Sequence, residues 1–199
     1  MHLRKTLLAC GAVFALLVSV RPAHARFMPR LGAITLGGGV ANFVKGQTEA
    51  QTTPGGAADA RLTIGTGTPL AFEVNYLVTL SREHVPTGFN PPELTTSTLS
   101  GNGRVNFTLW RVQPFLTAGA GWVNLHSFGR DIAPTAATHF KHDINAVAIP
   151  LGGGVATYLG SHAVLDARFN YQLIADKDFT SFHERPDMWN ATLNAGYSF

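Results

Sequence analysis

The chain has 199 residues, 45% of them hydrophobic and 14% charged, with 15 Lys and Arg facing 12 Asp and Glu. Three of the basic residues, Arg4, Lys5 and Arg21, lie in the N-terminal segment read below as a signal, so the rest of the chain is charge-balanced. That balance gives no ground for a nucleic-acid partner, and a single cysteine excludes a disulfide framework.

Met1 to Lys5 carries Arg4 and Lys5, Thr6 to Val20 is apolar, and Ala23-His24-Ala25 offers a small-x-small cleavage site. This layout predicts a secretory signal peptide over residues 1–25 and one domain over residues 26–199. The apolar run is shorter than the roughly 20 residues that a helical span needs. Cys10 lies early in that run, with Phe14 to Val18 still to follow, which argues against a lipoprotein box. Cleavage would remove it, and thiol chemistry with it. Beyond residue 25 the longest apolar run, Ala146 to Ala156, is broken by Pro150 and three glycines. A membrane protein made from such a chain must be a barrel, because only helices and closed barrels satisfy the backbone in lipid.

Period-two alternation organises the remainder. Leu31 to Phe43 is the first predicted strand, with Ile34, Leu36 and Val40 on one parity, and Lys45 to Ala57 reads as a loop around Pro54-Gly55-Gly56. Ala58 to Gly65 sets Ala60, Leu62 and Ile64 against Asp59, Arg61 and Thr63. After the turn Thr66-Gly67-Thr68-Pro69, Leu70 to Thr79 sets Leu70, Phe72, Val74, Tyr76 and Val78 against Ala71, Glu73, Asn75 and Thr79. These two strands form a hairpin. A second long loop, Leu80 to Ser97, leads to strand four, Thr98 to Leu109, where Leu99, Val105 and Phe107 oppose Ser100, Asn102, Arg104 and Asn106.

Trp110 to Gln113 turns the chain, and Pro114 opens strand five. Its parity up to Trp122 stays open, because its small residues suit either face. His126 to His142 is the third long loop, and strand six, Ile144 to Tyr158, is equally ambiguous through Gly152-Gly153-Gly154. Leu159 to His162 is a short turn. Ala163 to Ile174 then alternates clearly, with Leu165, Ala167, Phe169, Tyr171 and Leu173 against Val164, Asp166, Arg168, Asn170 and Gln172. After a fourth long loop, Ala175 to Pro186, the chain ends on Met188 to Phe199. Trp189, Ala191, Leu193, Ala195, Tyr197 and Phe199 form its apolar face.

Eight strands with alternating long and short connections are the layout of an outer-membrane barrel. The predicted fold is all-β, an eight-stranded antiparallel up-and-down transmembrane β-barrel. Charge parity agrees: Asp59, Arg61, Glu73, Arg104, Asp166 and Arg168 all fall opposite the apolar faces. A soluble lipocalin-like barrel would reverse the arrangement, with apolar residues inside and charges outside. Arg61, Glu73, Arg104, Asp166 and Arg168 are expected to pair as a charge network in the lumen. An eight-stranded barrel is only wide enough for its own side chains, so the expected interior is plugged.

The chain resembles the OmpA-like family of small outer-membrane barrels, which includes the OmpX/Ail-type proteins. The resemblance rests on Pro114 to Trp122, on Gly152 to Tyr171 and on the terminal Tyr197-Ser198-Phe199. It implies an outer-membrane location, contact with membrane lipid and lipopolysaccharide, and a structural or surface-interaction role through four long extracellular loops. An unknown host or surface ligand is one implied partner. The final strand resembles the C-terminal assembly signal of such barrels, with Trp189, Leu193, Tyr197 and Phe199 as the residues offered to the barrel-assembly machinery.

No catalytic residue, cofactor or metal ligand is assigned from the sequence. Gly37-Gly38-Gly39 and Gly152-Gly153-Gly154 continue into neither a phosphate-loop nor a dinucleotide motif. His84, His126, His139, His142 and His183 are scattered over the predicted loops without a second anchoring pair. His126-Ser127 with Glu184 or Asp187 suggests a hydrolase trio. The lipid A deacylase family, however, carries His-x-Ser near its last strand, where this chain has His183-Glu184-Arg185. A narrow channel is the remaining alternative.

Overall fold

A computed structural model describes residues 30–44, 52–83, 93–128, 143–175 and 187–199. The predicted signal peptide, residues 1–25, lies outside them, as do His84, His139, His142, His183 and Glu184. The described residues form eight strands: β1 Gly32–Phe43, β2 Thr52–Ile64, β3 Leu70–Glu83, β4 Glu93–Asn106, β5 Val112–Phe128, β6 Asp143–Leu159, β7 Ala163–Ile174 and β8 Met188–Ser198. Each pairs antiparallel with its chain neighbour, and β8 returns to β1. The barrel is closed, so no strand edge is left unpaired.

Alternation explains the closure. Interior positions are mostly small or polar, with larger apolar side chains such as Leu77, Phe115 and Leu125 toward the two ends, while Leu36, Phe72, Leu99, Leu116, Ile149, Leu165 and Leu193 point outward and stay exposed. The last pair locks through the terminal residue. Phe199 N–H donates to Gly32 O at 3.0 Å, and Phe199 O accepts from the N–H groups of Leu31 and Gly32. At this end the connections are short: residues 65–69, 107–111 and 160–162. Gly65 and Gly160 hold φ of 87° and 62°, the left-handed conformation that these tight turns need.

Several expected boundaries move, mostly toward longer strands at the opposite end. β2 begins at Thr52, so Pro54-Gly55-Gly56 belongs to a strand, and the β2–β3 pairing shifts register between Thr53 and Gly56. Pro54 faces outward there, at an irregularity where a missing N–H is tolerated. β3 and β4 run on to Glu83 and start at Glu93, shortening the second predicted loop. β5 starts at Val112 rather than Pro114 and includes His126, which pairs with Asp143 of β6. β4 stops at Asn106, leaving Phe107 to Leu109 to the turn.

The two ambiguous strands acquire a parity. Gln113, Phe115, Thr117, Val123 and Leu125 face inward on β5, with Leu116 and Trp122 outward. On β6, Ala146, Ala148, Ala156 and Tyr158 face inward, with Val147, Ile149 and Leu151 outward. The β5–β6 pairing skips from Ala118↔Leu151 to Gly121↔Ala148, beside Pro150, which has no N–H to donate.

Candidate functional site

Glu73, on β3, is fully buried and sits at the centre of the interior. Arg168 of β7 reaches it as a fork, Nη1 donating to Oε2 at 2.7 Å and Nη2 to Oε1 at 2.9 Å. Arg104 of β4 donates Nη1 to Oε1 at 3.0 Å, and Thr63 adds its hydroxyl at 3.3 Å. A second carboxylate pair brackets Arg61. Its Nη1 donates to Asp166 at 3.1 Å and its Nη2 to Asp59. Asp166 also accepts from Asn194, and lies 3.5 Å from Arg168 Nε, which joins the two groups. The belt thus holds three guanidiniums and three carboxylates from β2, β3, β4 and β7. Charges withdrawn from water need such pairing, because an isolated buried ion is very costly.

All five residues expected in the lumen meet in this belt. Asp59 completes it. The sequence placed Asp59 on the right parity, two positions from Arg61, but the network as read omitted it. Phe115 is a second addition: its ring supports Arg104 at 3.8 Å and Arg168 at 4.5 Å from its centroid, a cation–π floor for the belt.

Glycines make room for the belt's amides. Across neighbouring strands, Gly37 pairs with Asn194, Gly119 with Asn102 and Gly152 with Asn170. A Cβ at these glycines would lie 1.7, 2.3 and 2.1 Å from the facing Asn Oδ1. Each amide therefore lies over its partner's bare backbone, and the two triple-glycine runs are barrel-packing devices.

Above and below the belt the filling changes. Toward the end that carries the longer connections, Phe43, Leu77, Leu94, Val123, Leu125, Ile174 and Met188 form one buried apolar cluster with the alanines Ala41, Ala57, Ala146 and Ala148. At the short-turn end, Tyr158, Phe115, Val164, Ala33 and Ala156 form another. The β2–β3 turn closes that end: Gln113 Nε2 donates to Thr66 O at 3.2 Å, and Thr66 Oγ1 to Arg30 O at 3.2 Å. Arg30 lies 4.2 Å over the Tyr158 ring and donates to Gly160 O. Among the described residues, the interior is filled in three layers: the apolar cluster with Thr96, Thr98, Gln172 and Asn190 beside it, then the ionic belt, then the aromatic cluster.

The other expected sites are dispersed. His126 faces outward on β5, while Asp187, beside β8, accepts from Tyr171 OH at 3.1 Å and Ile174 N–H at 3.3 Å. β6 and β7 separate the two, so the structure does not bring His126 and Asp187 together, and Glu184 lies outside the described residues. Among the described residues no group of His, Cys, Asp and Glu is placed to hold a metal ion. Trp189, Leu193, Tyr197 and Phe199 all lie on the outer face of β8. Trp189 stacks on Phe169 at 5.9 Å and Tyr197 on His162 at 5.0 Å, and Leu193 is 72% exposed.

An inside that is ionic and an outside that is apolar is the reverse of a soluble barrel. The family model of the outer membrane protein beta-barrel domain matches residues 10–199. The chain belongs to that family. It is an outer-membrane protein, and its exposed Leu, Phe, Val and Ile side chains face lipid. Solved structures agree in fold. Neisserial surface protein A is 14% identical, with a TM-score of 0.57 over 84% of this chain and 95% of its own. Ail, the attachment invasion locus protein of Yersinia pestis, is 13% identical, with a TM-score of 0.53 over 86% of this chain and all of its own. OprG of Pseudomonas aeruginosa is 15% identical, with a TM-score of 0.52 over 86% and 97%. No curated protein sequence matches the chain.

Proposed function

We propose that this barrel is a closed membrane scaffold whose function lies at its surface end, in structural support or attachment, rather than in passage through its lumen. Export by the signal over residues 1–25 and insertion through the outward row Trp189, Leu193, Tyr197 and Phe199 belong to the same reading. The observation that carries it is the three-layer interior. An ionic belt whose groups pair with one another offers no free charge to a passing ion, and Leu77, Val123, Leu125, Ile174 and Met188 help to fill the lumen above it. Outer-membrane barrels place short turns in the periplasm and longer connections outside, so the apolar layer faces the exterior and the four longer connections are displayed there.

Ail has been solved in complex with the heparin analogue sucrose octasulfate, which makes a sulfated glycan the first ligand to try. Cells displaying this barrel would be tested for adhesion to immobilised heparin, beside cells whose four longer connections are cut to tight turns. The reading predicts adhesion that disappears with the connections while the barrel still inserts. Adhesion unchanged by trimming, or solute uptake that rises with barrel expression, would contradict it.

A further inference from the structure

At the short-turn end the β2–β3 turn folds inward, and Thr66, though in a turn, is 1% exposed. β2 ends at Ile64 and β3 begins at Leu70, so residues 65–69 take no part in the sheet pairing. Gly65, at φ 87°, makes the bend. Side chains hold the turn in place. Gln113 Nε2 donates to Thr66 O at 3.2 Å and Asn106 Nδ2 to Thr68 O at 2.8 Å. Two further bonds share one acceptor, Arg30 O, reached by Thr66 Oγ1 at 3.2 Å and by Gly67 N–H at 3.1 Å. The Arg30 side chain then runs to the β6–β7 turn, where Nη2 donates to Gly160 O at 3.0 Å, with the guanidinium 4.2 Å over the Tyr158 ring. Arg30 thus ties the turn on one side of β1 to the turn beyond β8 on the other.

This closure is not saturated. Arg30 Nε and Gln113 Oε1 are buried without a hydrogen-bond partner. A buried polar atom left unpaired costs as much as a made hydrogen bond contributes, or more. Closing the turn therefore gives back part of what its own bonds supply, and opening it returns both atoms to water. The belt differs, because both oxygens of Glu73 are bound by guanidiniums. A segment held outside the sheet by a few such bonds opens at a lower free energy than the strands beside it. We propose that residues 66–68, latched by Arg30, form a lid over the short-turn mouth that opens while the belt stays shut. Open, it admits water and small solutes of the periplasm as far as Tyr158, Phe115 and Val164, and the belt stops them there. The lid is independent of any adhesive role of the longer connections, and only its facing the periplasm rests on the scaffold reading.

The test is thiol accessibility in the full barrel, folded in detergent micelles that leave both ends open to solvent, so the result does not depend on orientation. Apart from Cys10, in the predicted signal, the chain has no cysteine. V164C puts a thiol in the buried cluster beneath the lid, and V123C puts one in the apolar cluster beyond the belt. With a small water-soluble methanethiosulfonate, V164C is expected to react slowly. R30A is expected to speed that reaction about tenfold, through loss of the bond to Gly160 and the contact with Tyr158. V123C is expected to stay unreactive in either background. An inert V164C, a rate unchanged by R30A, or a V123C that gains as much as V164C would overturn the lid. Should R30A fail to fold, amide exchange in the wild type decides by NMR. Gly67 N–H, bonded to Arg30 O, must exchange faster than Phe107 N–H, bonded to Pro114 O in the neighbouring turn, and equal protection of the two would overturn the lid.

Discussion

The ionic belt and the apolar layer fill adjacent stretches of one lumen and follow different rules. In the belt each group is fixed by its partners: Glu73 answers Arg104 and Arg168, and Arg61 lies between Asp59 and Asp166. In the apolar layer Leu77, Val123, Leu125, Ile174 and Met188 need only volume and a lack of polarity. The belt is specified by pairwise chemistry, the layer by shape, so equal-sized changes in the two should cost very different amounts.

The largest effect is expected from Glu73→Ala. It leaves two buried guanidiniums without their carboxylate, at roughly 3–5 kcal/mol, read as a lowered urea midpoint in vesicles. Next comes Gly37→Ala, whose new Cβ would collide with Asn194 Oδ1 and lie 2.4 Å from Leu193 O. Overpacking of this kind costs about 1–3 kcal/mol, and Gly56→Ala, with nothing within 4 Å, is the matched control. Replacing Arg104 and Glu73 together by Met should cost less than Glu73→Ala alone, since Arg61 and Arg168 then still face two carboxylates, Asp59 and Asp166. A double variant less stable than the single one would break the comparison. Leu125→Met, within the apolar layer, should cost less than about 1.5 kcal/mol and leave the heat-dependent gel mobility of the barrel unchanged.

The two fillings were also unequally legible in the sequence. The charged row could be read because Arg61, Glu73, Arg104, Asp166 and Arg168 share a parity opposite Leu, Phe and Tyr, and charge on the lipid side is costly. The apolar layer could not. Leu77, Val123 and Leu125 are as apolar as the outward Val74 and Trp122, and small residues on β5 and β6 erase the contrast that marks a face. Strand ends at the longer connections were hidden for a related reason. Thr95 to Ser97 and Pro54 to Gly56 have loop-like composition, yet the barrel continues through them because neighbouring strands supply the hydrogen bonds. The amide-over-glycine pairs depend on cross-strand register, which only the closed sheet reveals.

The central claim is a sealed lumen, and single-channel recording in planar bilayers tests it most directly. The purified barrel is expected to insert without steady conductance, and Glu73→Ala, if it inserts, to show brief openings at most. A large, steady wild-type conductance would mean that the three layers do not close the interior, and the scaffold reading would fall.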